Sequence, residues 1–231
     1  MSISSENEQK IISNSEYKLK IQPFVIALHA YQKKTQDTAK EVIGENLMDF
    51  DLCFCGLMDR SIRLTEGFIP MLEARNLTCA GALLRLMIDN CLRSFALMIA
   101  ADEQQAINCI LEGGELRKLK DKSGKSMTDK NLKEQIKEYD SLLPTVYDNT
   151  SGFIHFSEKA VYQSIYNTEN NRISLQVGGE LNEKRNANLL ECASAYLHYY
   201  QFFLKFMEAE ADWKKEFDNS NKMEKRNVSN D

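Results

Sequence analysis

The chain has 231 residues, 43% of them hydrophobic, and a formal net charge of −5; that is enough apolar material for one sizeable core, and the size fits one domain better than two. Three prolines and ten glycines are few for this length, so turns are scarce and a mostly α protein is expected rather than one of many short strands. The N-terminal SISSENEQKIISNSEYK has no secretory hydrophobic stretch, and the six cysteines fall mostly inside apolar helical patterns, which predicts a reduced, cytoplasmic protein.

Residues 1–14 are polar and aperiodic and read as a tail, followed by one helical domain over residues 15–217 and a second tail over 218–231. Pro23 suits the first turn of a helix carrying Phe24, Ala27, Leu28 and Tyr31 on its apolar face; His29 in the same helix is expected to be bland. A second helix carries Leu47, Phe50, Phe54, Leu57, Met58, Ser61, Leu64 and Phe68 at steps of three and four, up to an interruption or kink at Pro70. Cys53 and Cys55 in this helix point about 200° apart and cannot share a metal ion, so no metal and no cofactor are expected.

The organising element is one long helix, Leu72 to Ala101. Leu77, Ala80, Leu84, Met87, Cys91, Phe95 and Met98 line one face, and Leu83, Leu86, Ile88, Leu92, Leu97 and Ile99 make a second apolar sector. A helix with so narrow a polar strip belongs in the middle of a bundle. At 1.5 Å per residue it would reach ~45 Å, enough for a bilayer, but Arg85, Asp89 and Arg93 near its centre argue against a membrane span. Those three lie one turn apart, so Asp89 is placed to pair with both arginines. The result is an ion ladder on a helix seam, or a cationic anchor for a phosphate or carboxylate.

Asp102 and Gln105 resemble a helix cap, and Ala106, Ile107, Ile110 and Leu111 give a short helix closed by Gly113 and Gly114. From Arg117 to Lys137 eight basic residues stand against three acidic ones, a local net of +5. Ser123–Ser126 reads SGKS, the tail of a nucleotide-triphosphate loop, but the required first glycine would fall at Leu119 and no strand precedes it. Lys118, Lys120, Lys122 and Lys125 are the candidate nucleic-acid contacts. With no aromatics between them, a solvated flexible loop is the better reading.

Helical periodicity resumes at Leu132, Ile136, Tyr139 and Leu143, before Pro144 opens PTVYDNTSGFIHFSEKAV. Val161, Gln163 and Ile165, then Ile173, Leu175 and Val177, alternate across the turn-rich Asn167 to Asn171 and suggest a small β-hairpin ending at Gly178 and Gly179. Asn182 can cap a last long helix with Leu189, Ala193, Tyr196, Tyr200, Phe203, Leu204 and Met207 on one face. Its second stripe, Tyr199, Phe202, Phe206 and Trp213, exceeds a monomer's needs and predicts a homodimer interface, the competing explanation being that the N-terminal helix or the hairpin covers it within the same chain.

ARNLTCAGALLRLMIDNCLRSFALMIA and YDNTSGFIHFS together resemble the HEPN-like helical proteins of bacteria and archaea. The resemblance covers about the middle half of the chain. It implies a helical bundle and, in the active members, an RNA-cleaving site built from an arginine and a histidine across a dimer. His155 matches the histidine, whereas the arginine would have to stand at Asp148, Asn149 or Thr150, none of which carries a fixed positive charge. The expectation is therefore a non-enzymatic HEPN-like dimerisation or binding module, with His155 hydrogen-bonded to backbone or to Ser151. The alternative is an RNA-cleaving or nucleotide-modifying enzyme of a defence or toxin system, with RNA or a nucleotide as partner and Arg85 or Arg93 supplying the charge.

Overall fold

The computed structural model describes residues 11–158 and 183–228, with residues 161, 165–169, 172–175 and 177 between them. Ser13 caps α1 (Asn14–Ile43), its hydroxyl accepting the Glu16 amide. Then come α2 (Asp49–Glu73), α3 (Leu77–Ile99), α4 (Glu103–Leu111), one 3₁₀ turn (Leu116–Lys118), α5 (Asp129–Ile136) and α6 (Leu143–Ile154). Strands β1 (Ile165–Glu169) and β2 (Arg172–Leu175) pair antiparallel, and α7 (Lys184–Val228) closes the chain. The protein is a mostly α helical bundle, and no helix among the described residues is long and apolar enough to cross a membrane.

Helix α3 is the hub. It packs against α2, α4, α5, α6 and α7, and its buried residues run round most of its circumference, from Leu77 and Ala80 to Ala96 and Leu97. Gly81 lets α6 come close, because a Cβ there would run into the Phe153 ring. Several polar groups in this core are paired: Asn90 donates to the Ser61 hydroxyl at 2.8 Å, Tyr17 donates to the Leu72 carbonyl at 2.8 Å, and Thr65 shares a hydrogen bond with Tyr196 at 3.0 Å. Tyr196 also stacks on Phe68 with ring centroids 3.8 Å apart.

Several boundaries differ from the sequence reading. The stretch from Leu72 is not one helix: α2 keeps Leu72 and Glu73, Arg75 turns with a φ of 54°, and Asn76 caps α3 by accepting the Cys79 amide at 3.1 Å. Pro70 neither ends nor opens this turn, and α2 runs on for three residues beyond it. Pro23 sits inside α1, nine residues past its start, on the exposed side where water can serve the carbonyl left without a donor. The hairpin is tighter than expected, its strands reaching Glu169 and resuming at Arg172, with Val161 outside them. Gln163, Asn171, Gly178, Gly179 and Asn182 lie outside the described residues. The folded region does not stop at residue 217: α7 continues to Val228, and the buried Asp218 carboxylate accepts the Glu45 amide at 3.0 Å.

The aromatic stripe of α7 is also placed differently. α7 is wedged between α1 and α3, so both of its apolar faces are used within the chain. Tyr199 is 1% and Phe202 8% exposed; Phe206 lies against Phe95 of α3, and only Trp213, at 43%, reaches far into solvent while touching Phe50. The expected interface is therefore core. Beyond it α7 carries a buried charged group: Lys214 and Asp51 pair at 2.5 Å with both side chains fully covered, and Lys214 also donates to the Asn46 carbonyl. Burial, with the charges of Glu103 and Asp51, pushes the neighbouring Glu210 up to about 7.

A Phe202→Glu substitution should consequently unfold the protein rather than release folded monomers, with a loss on the order of 3–5 kcal/mol in urea denaturation. A folded variant with an unchanged midpoint would contradict this packing.

Candidate ligand-binding groove

One face of α2, with Leu52, Cys53, Gly56, Leu57 and Arg60 at helical spacing, looks across to Ile110 and Leu111 of α4 and to the segment 114–117. Between them lies a groove of about 810 Å³, and Asp89 and Arg93 of α3 with Asp129 of α5 and its cap Thr128 form its polar floor. Two members of the expected Arg85–Asp89–Arg93 ladder are thus brought into a concave site, beside partners that lie far away in sequence.

The floor is a connected ion network. Arg93 donates through Nε and Nη2 to Asp89 Oδ1 at 3.2 and 3.1 Å, and through Nη2 to Asp129 Oδ1. Asp129 Oδ2 accepts the Tyr147 hydroxyl at 2.7 Å, and Asp89 Oδ2 lies 3.6 Å from Arg60 Nη1. Arg60 is itself held by the Leu86 carbonyl and Asn90 Oδ1, which continues the network into the core through Ser61. Burial works against the Arg93 charge, but Asp89 and Asp129 outweigh it and keep the guanidinium more basic than usual. Burial likewise acts to raise Asp129, yet the Tyr147 hydrogen bond and the Arg93 charge bring its carboxyl below the ordinary range. Burial and the bond to Asp129 push Tyr147 up to about 12.

Arg85 does not pair with Asp89. Its guanidinium lies over the Tyr147 ring, 3.4 Å from the centroid, with Lys133 Nζ 4.5 Å from that centroid. Arg93 and Arg85 take different partners, Asp129 of α5 for the first and Tyr147 of α6 for the second.

His155 follows the last residue of α6 in extended backbone and its ring is exposed. Only its backbone amide reaches Ser151, donating to the carbonyl at 3.2 Å, while the Ser151 hydroxyl donates to the Tyr147 carbonyl. The expected ring contact with Ser151 is absent. At the three positions where a nuclease arginine would stand, Asp148 pairs with Lys133, Thr150 is buried with its hydroxyl donating to the Val146 carbonyl, and Asn149 is neutral.

The basic segment is a built turn, not a loose loop. Asp121 is buried, and its Oδ1 accepts the amides of Ser123 and Lys125 and the Ser123 hydroxyl at 2.7–2.9 Å, while Oδ2 accepts Gln135 at 2.8 Å. Two of the backbone donors of SGKS, the Ser123 and Lys125 amides, are thus taken up by the chain's own carboxylate, and the Gly124 amide by the Asp121 carbonyl. Isolated bridges join Ala100 to Asp121 and Lys120 to Ser126. Lys118 pairs with Glu115, Lys120 donates to Ser126, Lys122 donates to the Met98 carbonyl, and Lys125 is exposed.

No family model, curated protein or solved structure matches the chain.

Among the described residues no group of His, Cys, Asp or Glu is arranged to hold a metal ion. The sequence reading passed over Arg60 and Asp129, which join the floor only because α2, α3 and α5 converge. It also passed over His198, which pairs with the buried Asp140. Asp140 was recoverable, since an acidic residue just before SLLP marks a helix start, and its Oδ1 does accept the amides of Leu142 and Leu143.

The four hydrogen bonds on Asp121 outweigh its burial and lower its pKa from 3.8 to about 2. Because the folded value lies below the ordinary one, this stabilisation is complete above pH ~4 and lost as pH falls toward 2. Asp121→Asn should remove that acid dependence and speed hydrogen exchange at the Ser123 and Lys125 amides; unchanged exchange would show that Asp121 does not hold the turn.

Proposed function

We propose that this protein is a non-enzymatic helical binding module of HEPN-like type, which works by taking a small ligand into the groove between α2 and α4. The observation that carries the reading is the groove itself: about 810 Å³, within the range of small-molecule sites, with mostly apolar walls over a preformed polar floor. Gly56 adds to it. This glycine stands in the middle of α2, on the groove wall, where a Cβ would meet nothing within 4 Å, so packing does not require it although it costs the helix roughly 0.5–1 kcal/mol relative to alanine. Its effect is to leave that wall bare.

The RNA-cleaving alternative draws no support from His155, which is exposed at the end of α6 while Arg85 and Arg93 are engaged by Tyr147, Asp89 and Asp129. The cytoplasm is the proposed compartment, in keeping with six cysteines that are all free. Homodimerisation belongs to the same proposal, through a surface other than the α7 stripe, since Tyr199 and Phe202 are used inside the chain.

Two experiments test this. Incubation with a mixed RNA pool should give no cleavage that depends on His155, and cleavage lost in His155→Ala would overturn the non-enzymatic reading. Nile red, a neutral apolar dye, should brighten on binding the wild type and not Gly56→Phe, whose new ring fills the groove while its melting temperature stays the same or rises. Equal dye binding by the two proteins would remove the groove from the account.

A further inference from the structure

The polar floor of the groove is unbalanced in what it can offer a ligand. Each of its carboxylates already has a cationic or hydroxyl partner: Asp89 Oδ1 takes two donors from Arg93 and Asp89 Oδ2 lies 3.6 Å from Arg60 Nη1, Asp129 Oδ1 takes Arg93 and Asp129 Oδ2 takes Tyr147, and Glu115 on the groove wall pairs with Arg117 and Lys118. Its guanidiniums are less fully engaged. Among the described residues the contacts of Arg60 use Nη1 and those of Arg93 use Nε and Nη2, and no partner is seen there for the N–H groups of Arg60 Nε and Nη2 and of Arg93 Nη1. A group entering here finds donors to accept from and few acceptors to donate to. Above the floor Leu52, Leu57, Ile110 and Leu111 make the walls mostly apolar, beside the paired Glu115 and Arg117, and Leu52 and Leu111 are about half exposed.

On the reading of this groove as a ligand site, we infer that its ligand is an organic oxyanion: a slender apolar body lying along the bare wall at Gly56, ending in a carboxylate or phosphate held by Arg60 and Arg93. The network explains why the head group is an oxyanion and not an ammonium. Asp89 and Asp129 fix the two guanidiniums and spend their own charge on them, so a cation would meet carboxylates already paired with arginine or lysine, Glu115 included, and the positive edges of the arginines. A carboxylate or phosphate instead completes the donors in charge-assisted hydrogen bonds beside apolar walls, where such bonds are strongest. The floor needs no rearrangement to accept it, because the buried Asn90 and Tyr147 hold both arms of the network from behind.

The test is a calorimetric titration of the full chain with four probes sharing one tail: octanoate, octyl phosphate, octanol and octylamine. Octanoate and octyl phosphate should bind at one site, octanol at least about tenfold more weakly, and octylamine more weakly still. The stronger of the two anions identifies the head group. Arg60→Gln, which leaves the Arg93 pairs in place, should bring the anions down to the octanol level without changing octanol itself. Four probes of equal affinity, or tighter binding of octylamine, would overturn the oxyanion inference. If binding were still blocked by Gly56→Phe, the groove itself would stand as a ligand site. Anion binding that persists in Gly56→Phe and is lost when Lys118, Lys120 and Lys125 become Glu would place the anion on the basic turn and also overturn the inference.

Discussion

The constraint on which the fold depends is that α3 has to hide nearly its whole surface. A 23-residue helix with Leu84, Met87, Ile88, Cys91, Leu92, Phe95, Ala96 and Leu97 all buried cannot be covered by one neighbour. Five helices pack on it, and the bundle's arrangement follows from where each finds apolar surface: α2 and α7 along the main face, and the short α4, α5 and α6 over the remainder. What those short helices leave uncovered, beside the only charged strip α3 has, is the groove.

Two connected charge clusters stand apart from each other among the described residues. In the groove floor Arg60, Arg93, Asp89 and Asp129 are half-buried and connected, and the network reaches the core through Asn90 and Ser61. Near the start of α2, Lys214 and Asp51 are fully buried, with Glu210 and Asp218 close by and one carboxylate oxygen on each of Asp51, Glu210 and Asp218 without a hydrogen-bond partner. A buried pair of this kind adds little net stability, because desolvation consumes most of the attraction, but breaking it strands a charge. Its structural effect is to tie α7 to the connection between α1 and α2, which is why the helix continues past the point where its apolar pattern fades.

The helical class and the place of α3 were legible because apolar residues at steps of three and four state directly which face is buried; Met98, which follows the pattern but is exposed, marks where α3 is running out. Periodicity does not say what covers a face. The stripe of Tyr199, Phe202 and Phe206 was readable as apolar, but its burial against α3 depends on α7 lying between two helices. Prolines misled for a related reason: Pro23 and Pro70 are tolerated inside helices, a circumstance set by the surroundings and not by the residue. The basic turn shows the same limit. Lysines at this density read as a solvated loop, yet the single buried Asp121 orders the segment, and its decisive hydrogen bonds are to backbone amides that sequence patterns do not display. Half of the candidate site, Asp89 and Arg93, was visible on one helix. The other half, Arg60 and Asp129, required the tertiary fold.

The account's central claim is that the space between α2 and α4 is a binding site whose polar end is Arg60 and Arg93. A crystal structure of the protein grown with octyl phosphate tests it most directly. The account predicts density for the octyl chain along the Gly56 wall, with phosphate oxygens within hydrogen-bonding distance of both guanidiniums and the Asp89 and Asp129 pairs unchanged. An empty groove with the phosphate bound instead at Lys118, Lys120 or Lys125 would contradict it.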